Sequence, residues 1–249
     1  MSLQRTKGII IRSIDFKDSS KVLTLFSEKY GKIPVIAHGA KRIANTVNAS
    51  YETGNLVDVV MYKKSDNNLM GTISQISIIN QFKKTKMDLI KTAMAQYCME
   101  FIYKNTEDYD ENRSLYILIL TFLQLINDRN VSMKTKACWD YNVMKLIGVE
   151  PNIWECIICG KPVKEGIWIA EEGGISCGCK PNKGLPLREE DLKVLRLLSM
   201  KFPLAEKEEK FINLNVITAI EEMLKHHCSV PNNSLNFLNI VLDFDKNFL

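Results

Sequence analysis

Residues 8–37, GIIIRSIDFKDSSKVLTLFSEKYGKIPVIA, decide the fold. Gly8 to Ile14, Lys21 to Ser27 and Lys32 to Ala37 are runs rich in β-branched and other apolar residues, and the breaks between them are Lys17-Asp18-Ser19 and Lys29-Tyr30-Gly31. Short apolar runs punctuated by turn-forming residues read as strands. Two more follow, Asn55 to Tyr62 and Leu69 to Ile79, after a polar loop around His38 to Tyr51. Ser65-Asp66-Asn67-Asn68 between them has the chemistry of a hairpin turn. Val57, Val59 and Met61 alternate with residues that include Asp58, as in a half-buried strand, and a change of phase between Ile73 and Ile76 predicts a bulge. Five short strands within residues 3–82 are too few for an immunoglobulin sandwich and suit a small closed barrel of the OB type.

From residue 83 the period changes. Met87, Ile90, Met94, Tyr97, Cys98 and Phe101 fall on one helical face. Leu115 to Ile126, with Asn112 or Ser114 as its cap, is apolar almost all round and is expected at the centre of a helical bundle. A third helix, Lys134 to Ile147, stops at Gly148 with Pro151 beyond. Further helices are expected at about 188–202, 214–228 and 233–243, with 203–211 as a charged surface connection. The expected architecture is α+β: an N-terminal five-stranded OB-fold β-barrel over 1–82, then an α-helical domain over 83–249. That domain carries a small cysteine module at about 154–181.

Composition bounds the function. The 249 residues are 46% hydrophobic and 25% charged, the balance of a globular protein, which excludes disorder and collagen-like repeats. The longest apolar run is too short to cross a bilayer, and the N-terminus lacks a signal-peptide pattern, so a cytoplasmic protein is expected. Net charge is only +4, but residues 1–80 hold eleven Lys and Arg against six Asp and Glu, while residues 81–249 are close to neutral. A polyanion-binding face belongs in the first third, although lysines that merely keep a β domain soluble explain the excess equally well.

The strongest chemical signal is Cys156-Ile-Ile-Cys159-Gly160, with seventeen residues between Cys159 and the second pair, Cys177-Gly178-Cys179. Cys-x-x-Cys-Gly is a zinc-knuckle pattern in which the turn aims backbone amides at the sulfurs. The second pair is Cys-x-Cys, whose alternate residues point the same way on an extended chain. A four-cysteine Zn²⁺ site is expected, with unmetallated thiols and a redox pair as the other readings. Four sulfur ligands leave no open coordination position, which makes such a zinc structural. Cys98 and Cys138 fall at core spacing, and Cys228 beside His226 and His227 reads as the capped end of a helix. No histidine is followed two residues later by glutamate, as a zinc deaminase requires. Phosphate-binding glycine loops and a Gly-x-Ser-x-Gly elbow are also missing, and nothing in the sequence argues for an enzyme.

Thr6-Lys7-Gly8-Ile9-Ile10-Ile11-Arg12, Phe16-Lys17-Asp18-Ser19-Ser20-Lys21-Val22-Leu23-Thr24-Leu25-Phe26, Tyr30-Gly31-Lys32-Ile33 and His38-Gly39-Ala40-Lys41-Arg42 resemble the N-terminal region of the RecO family of bacterial recombination mediators. Lys145-Leu146-Ile147-Gly148-Val149-Glu150-Pro151 before the first cysteine pair, and Gly173-Gly174 before the second, resemble it too. The resemblance implies an OB-fold, a helical C-terminal domain and, in many members, a four-cysteine zinc module. It further implies binding of single- and double-stranded DNA, annealing of complementary strands, and nucleoid association. With RecR, such proteins help load RecA onto DNA coated by single-stranded-DNA-binding protein, whose acidic C-terminal tail they contact. Two departures stand out: the Cys-x-Cys pair, and Ile43-Ala44-Asn45-Thr46, which is less basic than the family often shows there.

An OB barrel holds single strands by tracking phosphate with cations while bases stack on aromatics. The phosphate candidates are Lys7, Arg12, Lys21, Lys41, Arg42, Lys63 and Lys64, with Lys41 and Arg42 foremost because they share the longest barrel loop. Tyr30, Tyr51 and Tyr62 are the stacking candidates, each with a place in the core or at the rim as its other reading. The alternative reading is a zinc-ribbon transcription or RNA-binding factor without annealing activity, and a nuclease or deaminase is the third.

Overall fold

The computed structural model describes residues 2–41, 49–63, 70–181 and 183–248, with the backbone alone at 2, 63 and 243–248. The chain forms two compact units, Met1–Arg129 together with Pro231–Leu249, and Asn130–Val230. Its helices in chain order are α1 (Lys83–Lys86), α2 (Leu89–Asn105), α3 (Arg113–Asp128), α4 (Met133–Leu146), α5 (Glu189–Met200), α6 (Glu206–Glu209), α7 (Leu214–His227) and α8 (Asn232–Phe248). No helix among the described residues is long and apolar enough to cross a membrane.

In the first unit β1 (Ser2–Phe16), β2 (Ser20–Ser27), β3 (Gly31–Ala37), β4 (Leu56–Lys63) and β5 (Gly71–Asn80) close a barrel in the order β1-β2-β3-β5-β4. β1 serves two neighbours. Its first half ladders with β4, from Ser2↔Lys63 to Ile9↔Leu56, and its second with β2, from Gly8↔Ser27 to Phe16↔Ser20. A register shift between Ile10 and Arg12 bends the strand from one partner toward the other. β3 and β5 meet in parallel at Val35↔Gly71 and Ile36↔Thr72, which completes the ring of an OB barrel. The bulge predicted in the fifth strand is present: the β4–β5 ladder passes from Val60↔Gln75 to Met61↔Ile73 and skips Ser74. The predicted hairpin at 65–68 lies outside the described residues.

Alternation explains the inside of the barrel. Ile10, Leu23, Leu25, Ile33, Val35, Val57, Val59 and Met61 point inward and form its core. Each such side chain contributes about 1.5–3 kcal/mol on full burial. Gly31 starts β3 at φ +63°, and a Cβ there would stand 1.8 Å from the Asp110 carbonyl oxygen. Only glycine lets residues 108–110 lie against β3, where the Tyr109 N–H donates to the Lys32 carbonyl at 2.8 Å.

α2 begins at an Asp88 cap, whose carboxylate accepts the Lys91 N–H at 3.0 Å. Met87, predicted on the buried face, precedes that cap and is 88% exposed; Met94, Tyr97, Cys98 and Phe101 are buried as expected. Asn112 caps α3, which buries Leu115, Leu118, Ile119, Phe122 and Ile126 but leaves Ile117 exposed, so it is covered on one side rather than all round. α8 packs back on α2. Of the helices in the segment 83–249, α1, α2, α3 and α8 fall in the same compact unit as the barrel.

In the second unit α4 opens with a Ser132–Thr135 capping box and closes at Gly148, φ +85°, with the Val149 N–H on the Met144 carbonyl at 2.8 Å. Lys136 is buried in this helix and donates to Asp140 at 2.7 Å and Glu221 at 3.2 Å. Burial alone would lower its pKa, but the two carboxylates outweigh that and hold it raised and charged. Residues 203–211, expected as a surface connection, contain α6; its Glu209 is buried because the Thr135 hydroxyl donates to it at 3.2 Å. A three-stranded sheet, β6 (Gly166–Ile169), β7 (Gly174–Ser176) and β8 (Leu185–Leu187), runs in the order β7-β6-β8. The buried Trp168 indole donates to the Ala219 carbonyl at 3.1 Å and ties this sheet to α7.

Candidate functional site

The cysteine cluster grows out of that sheet. β7 delivers Cys177 and Cys179 at its end, while Cys156 and Cys159 come from a knuckle closed by Cys156 N–H on the Lys161 carbonyl at 2.8 Å and Gly160 N–H on the Cys156 carbonyl at 2.9 Å. Gly160 (φ +71°) and Gly178 (φ +80°) have open space around an added Cβ, so backbone conformation and not crowding calls for glycine at both.

All four sulfurs lie within 4.8 Å of one another. Cys156 and Cys179 are 3.8 Å apart, Cys159 and Cys177 3.6 Å, and all are free thiols. Four sulfurs placed about 2.3 Å from one ion in a tetrahedron stand about 3.8 Å from each other. The donor set therefore fits a tetrahedral metal site of the four-sulfur kind, and Cys-x-Cys serves it as well as a second Cys-x-x-Cys. Backbone amides favour thiolate: the Cys177 N–H reaches the Cys156 sulfur at 3.3 Å and the Ile158 N–H at 3.4 Å. The Cys177 amide foremost, working against burial, brings the Cys156 pKa down to about 5. This is the only such cluster among the described residues. Cys98 and Cys138 are core residues, and Cys228 caps α7 through its N–H on the Leu224 carbonyl at 2.9 Å, while His227 bonds the Ala170 carbonyl.

The predicted cationic residues fall in several places on the barrel. Lys7 is exposed on β1 opposite Asp58, which Arg5 already holds in a forked ion pair at 2.6–3.1 Å. The Arg5 hydrogen bonds, aided by the nearby charges of Arg5, Lys7 and Lys29, keep the Asp58 carboxyl below its usual range. Lys21 and Lys41 converge on Asp15, each at 2.9 Å, and lower its pKa, Lys41 most. Arg12 lies elsewhere, its guanidinium over the Tyr103 ring of α2 at 4.7 Å and bonded to the Tyr103 hydroxyl. Arg42 and Lys64 lie outside the described residues, as does the side chain of Lys63, the last residue of β4. Of the tyrosines, Tyr62 is exposed and Tyr30 packs partly against the barrel core. Tyr51 is a correction: at 6% exposure it is a core residue and offers no face to a base.

The sequence reading missed Lys17, Phe16 and Tyr103. Lys17, in the β1–β2 turn at φ +52°, accepts Lys41 Nζ on its carbonyl and holds its own ammonium 5.4 Å from the Phe16 ring. The signal was present in β1, where Arg12, Ile14 and Phe16 alternate outward. Register sets them in rows, Arg12↔Thr24↔Pro34, then Ile14↔Val22↔Ile36, then Phe16↔Ser20. Ile14 is 43% and Phe16 39% exposed. This outer face of β1–β2–β3 thus has an apolar floor with Arg12 at one end and Lys17 at the other. Between it and the end of α2 runs a groove of about 530 Å³, lined by Arg12, Ile14, Val22, Pro34, Tyr103 and Lys104 among others.

The family model for the recombination protein O N terminal matches residues 1–82, and that for the recombination protein O C terminal matches residues 86–231. Curated relatives called DNA repair protein RecO include one from an Exiguobacterium species, 28% identical over 82% of this chain and 81% of that protein. One from Listeria monocytogenes is 28% identical over 78% of this chain and 76% of its own length, and one from Bacillus pumilus 27% over 90% and 88%. A closed OB barrel, a helical region and a four-cysteine cluster, matched by both family models across almost the whole length, place this chain in the recombination protein O family of DNA repair proteins.

Proposed function

We propose that this protein is a non-catalytic mediator of DNA repair and homologous recombination. It binds single- and double-stranded DNA through the barrel of residues 1–82 and anneals complementary strands. With RecR it helps load RecA onto DNA coated by single-stranded-DNA-binding protein, whose acidic C-terminal tail it contacts. It acts in the cytoplasm, at the nucleoid.

The observation that carries this reading is the outer face of β1–β2–β3. Rows two residues apart on a strand are about 7 Å apart, a spacing that suits successive unstacked bases. Ile14, Val22, Ile36 and Phe16 supply the apolar floor, and Arg12 and Lys17 the cations at its ends. Lys21 and Lys41 stand at the adjoining rim, where phosphate competes with Asp15 for them. Annealing needs no bond to be made or broken. A surface that neutralises phosphates lowers the repulsion between two strands and leaves their base edges free, and such binding weakens steeply with salt.

The four-cysteine cluster is assigned to one structural Zn²⁺ held by Cys156, Cys159, Cys177 and Cys179. All four positions are filled by protein, so the ion supplies a cross-link and no chemistry on substrate. Its expected occupancy is close to one ion per chain by elemental analysis.

The deciding experiment is annealing of complementary oligonucleotides, bare and pre-coated with single-stranded-DNA-binding protein. Salt-sensitive annealing that persists on coated strands is expected. Binding that is specific for duplex sequence or for RNA, without annealing, supports a zinc-ribbon factor and overturns the proposal.

A further inference from the structure

The second unit carries an aromatic surface that the barrel reading does not use. Of three tryptophans, Trp139 and Trp168 are 0% and 1% exposed, whereas Trp154 is 47% exposed. It precedes the cysteine knuckle, and its surroundings hold it still. The Asn152 side chain accepts the N–H groups of Trp154 and Glu155 at 3.2 and 3.1 Å. The Trp154 carbonyl accepts the Val163 N–H at 3.1 Å, next to a Glu155↔Pro162 bridge. Arg196 lies against the ring, its guanidinium carbon 4.9 Å from the centroid. That guanidinium is fixed in turn by the Ile153 carbonyl at 3.0 Å and the Val163 carbonyl at 2.6 Å.

An exposed indole gripped in this way costs hydrophobic free energy and loses little entropy when a flat partner covers it. The segment paired with Trp154 carries exposed Lys161 and Lys164, which exposed Glu155 and Glu165 balance, so that Arg196 leaves the surroundings with a small positive excess. A fixed aromatic plate with a small excess of positive charge around it suits a planar, uncharged group whose own negative charge sits at a distance. An unstacked nucleobase has that form, with its phosphate one sugar away and within reach of a lysine.

We propose that Trp154 is a stacking platform for a base of single-stranded DNA, a second contact apart from the barrel. The inference rests on the DNA-binding reading above and assigns the cysteine knuckle a role in it: holding the plate rigid. Two separate contacts on one chain raise the local concentration of a strand already held by the barrel. Because the contact is stacking, it tolerates any base and adds little to the salt dependence, unlike the cationic rim of the barrel.

The test uses the full-length protein and an oligo-dT strand. Binding is followed by fluorescence anisotropy of the labelled strand and, in parallel, by tryptophan emission, in which Trp154 is the solvent-accessible reporter. Saturating oligo-dT is expected to quench that emission. Trp154→Phe should keep the affinity and abolish the quenching, and Trp154→Ala should weaken binding roughly fivefold or more with the slope against log salt unchanged. Emission from buried Trp139 and Trp168 reports that both variants are folded. Saturated anisotropy without quenching, or unchanged affinity in a folded Trp154→Ala protein, overturns the platform and leaves the surface to a protein partner. No anisotropy change at low salt in the unsubstituted protein overturns the DNA-binding reading itself.

Discussion

The barrel and the cysteine module both hold short strands in place, and they do so by opposite means. In the barrel, every strand presents inward side chains to one apolar core, with Leu23, Leu25, Ile33 and Val35 fully buried. Among the described barrel strands and turns Lys32 alone of the cations is buried, its ammonium on the Tyr103 and Thr106 carbonyls, while the others are half-buried or exposed. In the module, strands of three or four residues bury only a handful of apolar side chains, Trp168, Ile175 and Leu187 among them, and three of the four clustered cysteines are exposed. A short sheet of that kind is marginal without a staple. The contrast teaches that a stretch with so little apolar area of its own is where a cross-link through the proposed four-cysteine centre counts most.

The largest effect is therefore expected from that centre. Cys156→Ala should reduce bound metal from close to one ion per chain to near zero. Thermal unfolding should then split into two transitions, with the second unit melting first, because metal binding free energy is folding free energy in such modules. Elemental analysis and calorimetry check both points; a metal-free wild-type protein with one high transition contradicts them.

Next comes Lys136→Met in the same unit. It removes the ammonium from beside the buried Asp140 carboxylate and should cost about 3–5 kcal/mol in a denaturant titration. In the barrel, Leu25→Ala removes a fully buried side chain and should cost about 2–5 kcal/mol, with no dependence on chelator. If chelation changed the Leu25→Ala penalty, the two regions would be coupled and the contrast between them would fail.

Smaller still is the effect of the rim charges. Lys17→Glu with Lys41→Glu should weaken DNA binding for all sequences alike and lower the salt slope by about one for each phosphate that the variant no longer neutralises. Asp15 supplies the smallest effect. Lys41 and Lys21 hold its folded pKa below the unfolded value, so its contribution to stability is complete above the ordinary carboxylate range and fades as pH falls through the folded pKa. Carboxyl NMR should find Asp15 titrating below the ordinary carboxylate range, and Lys41→Met should move it upward.

Much of the molecule is readable from the chain alone. The five strands follow from alternation and turn residues, and the bulge at Ser74 from a break in phase. The cysteine spacing announces a four-sulfur site, and Asn112 and Gly148 mark helix ends where they fall. Met87 goes astray because the Asp88 cap outweighs a matching period one residue before it. Lys17 escapes notice because a turn residue carries no pattern of its own; its place beside Phe16 and Lys41 is a product of the fold.

The order of residues along the chain determines what is local: which segments are strands, where helices are capped, and that four thiols lie close enough in sequence to share an ion. Those choices depend on neighbours a few positions away. Three matters depended on the folded molecule. α8 joins the barrel's unit across an inserted segment of about a hundred residues. Tyr51 is core while Phe16 faces outward. Trp154 stands half in solvent on an anchored arginine. Each is settled by contacts between residues far apart in sequence, and no local period or propensity encodes which of two apolar faces a distant element will cover.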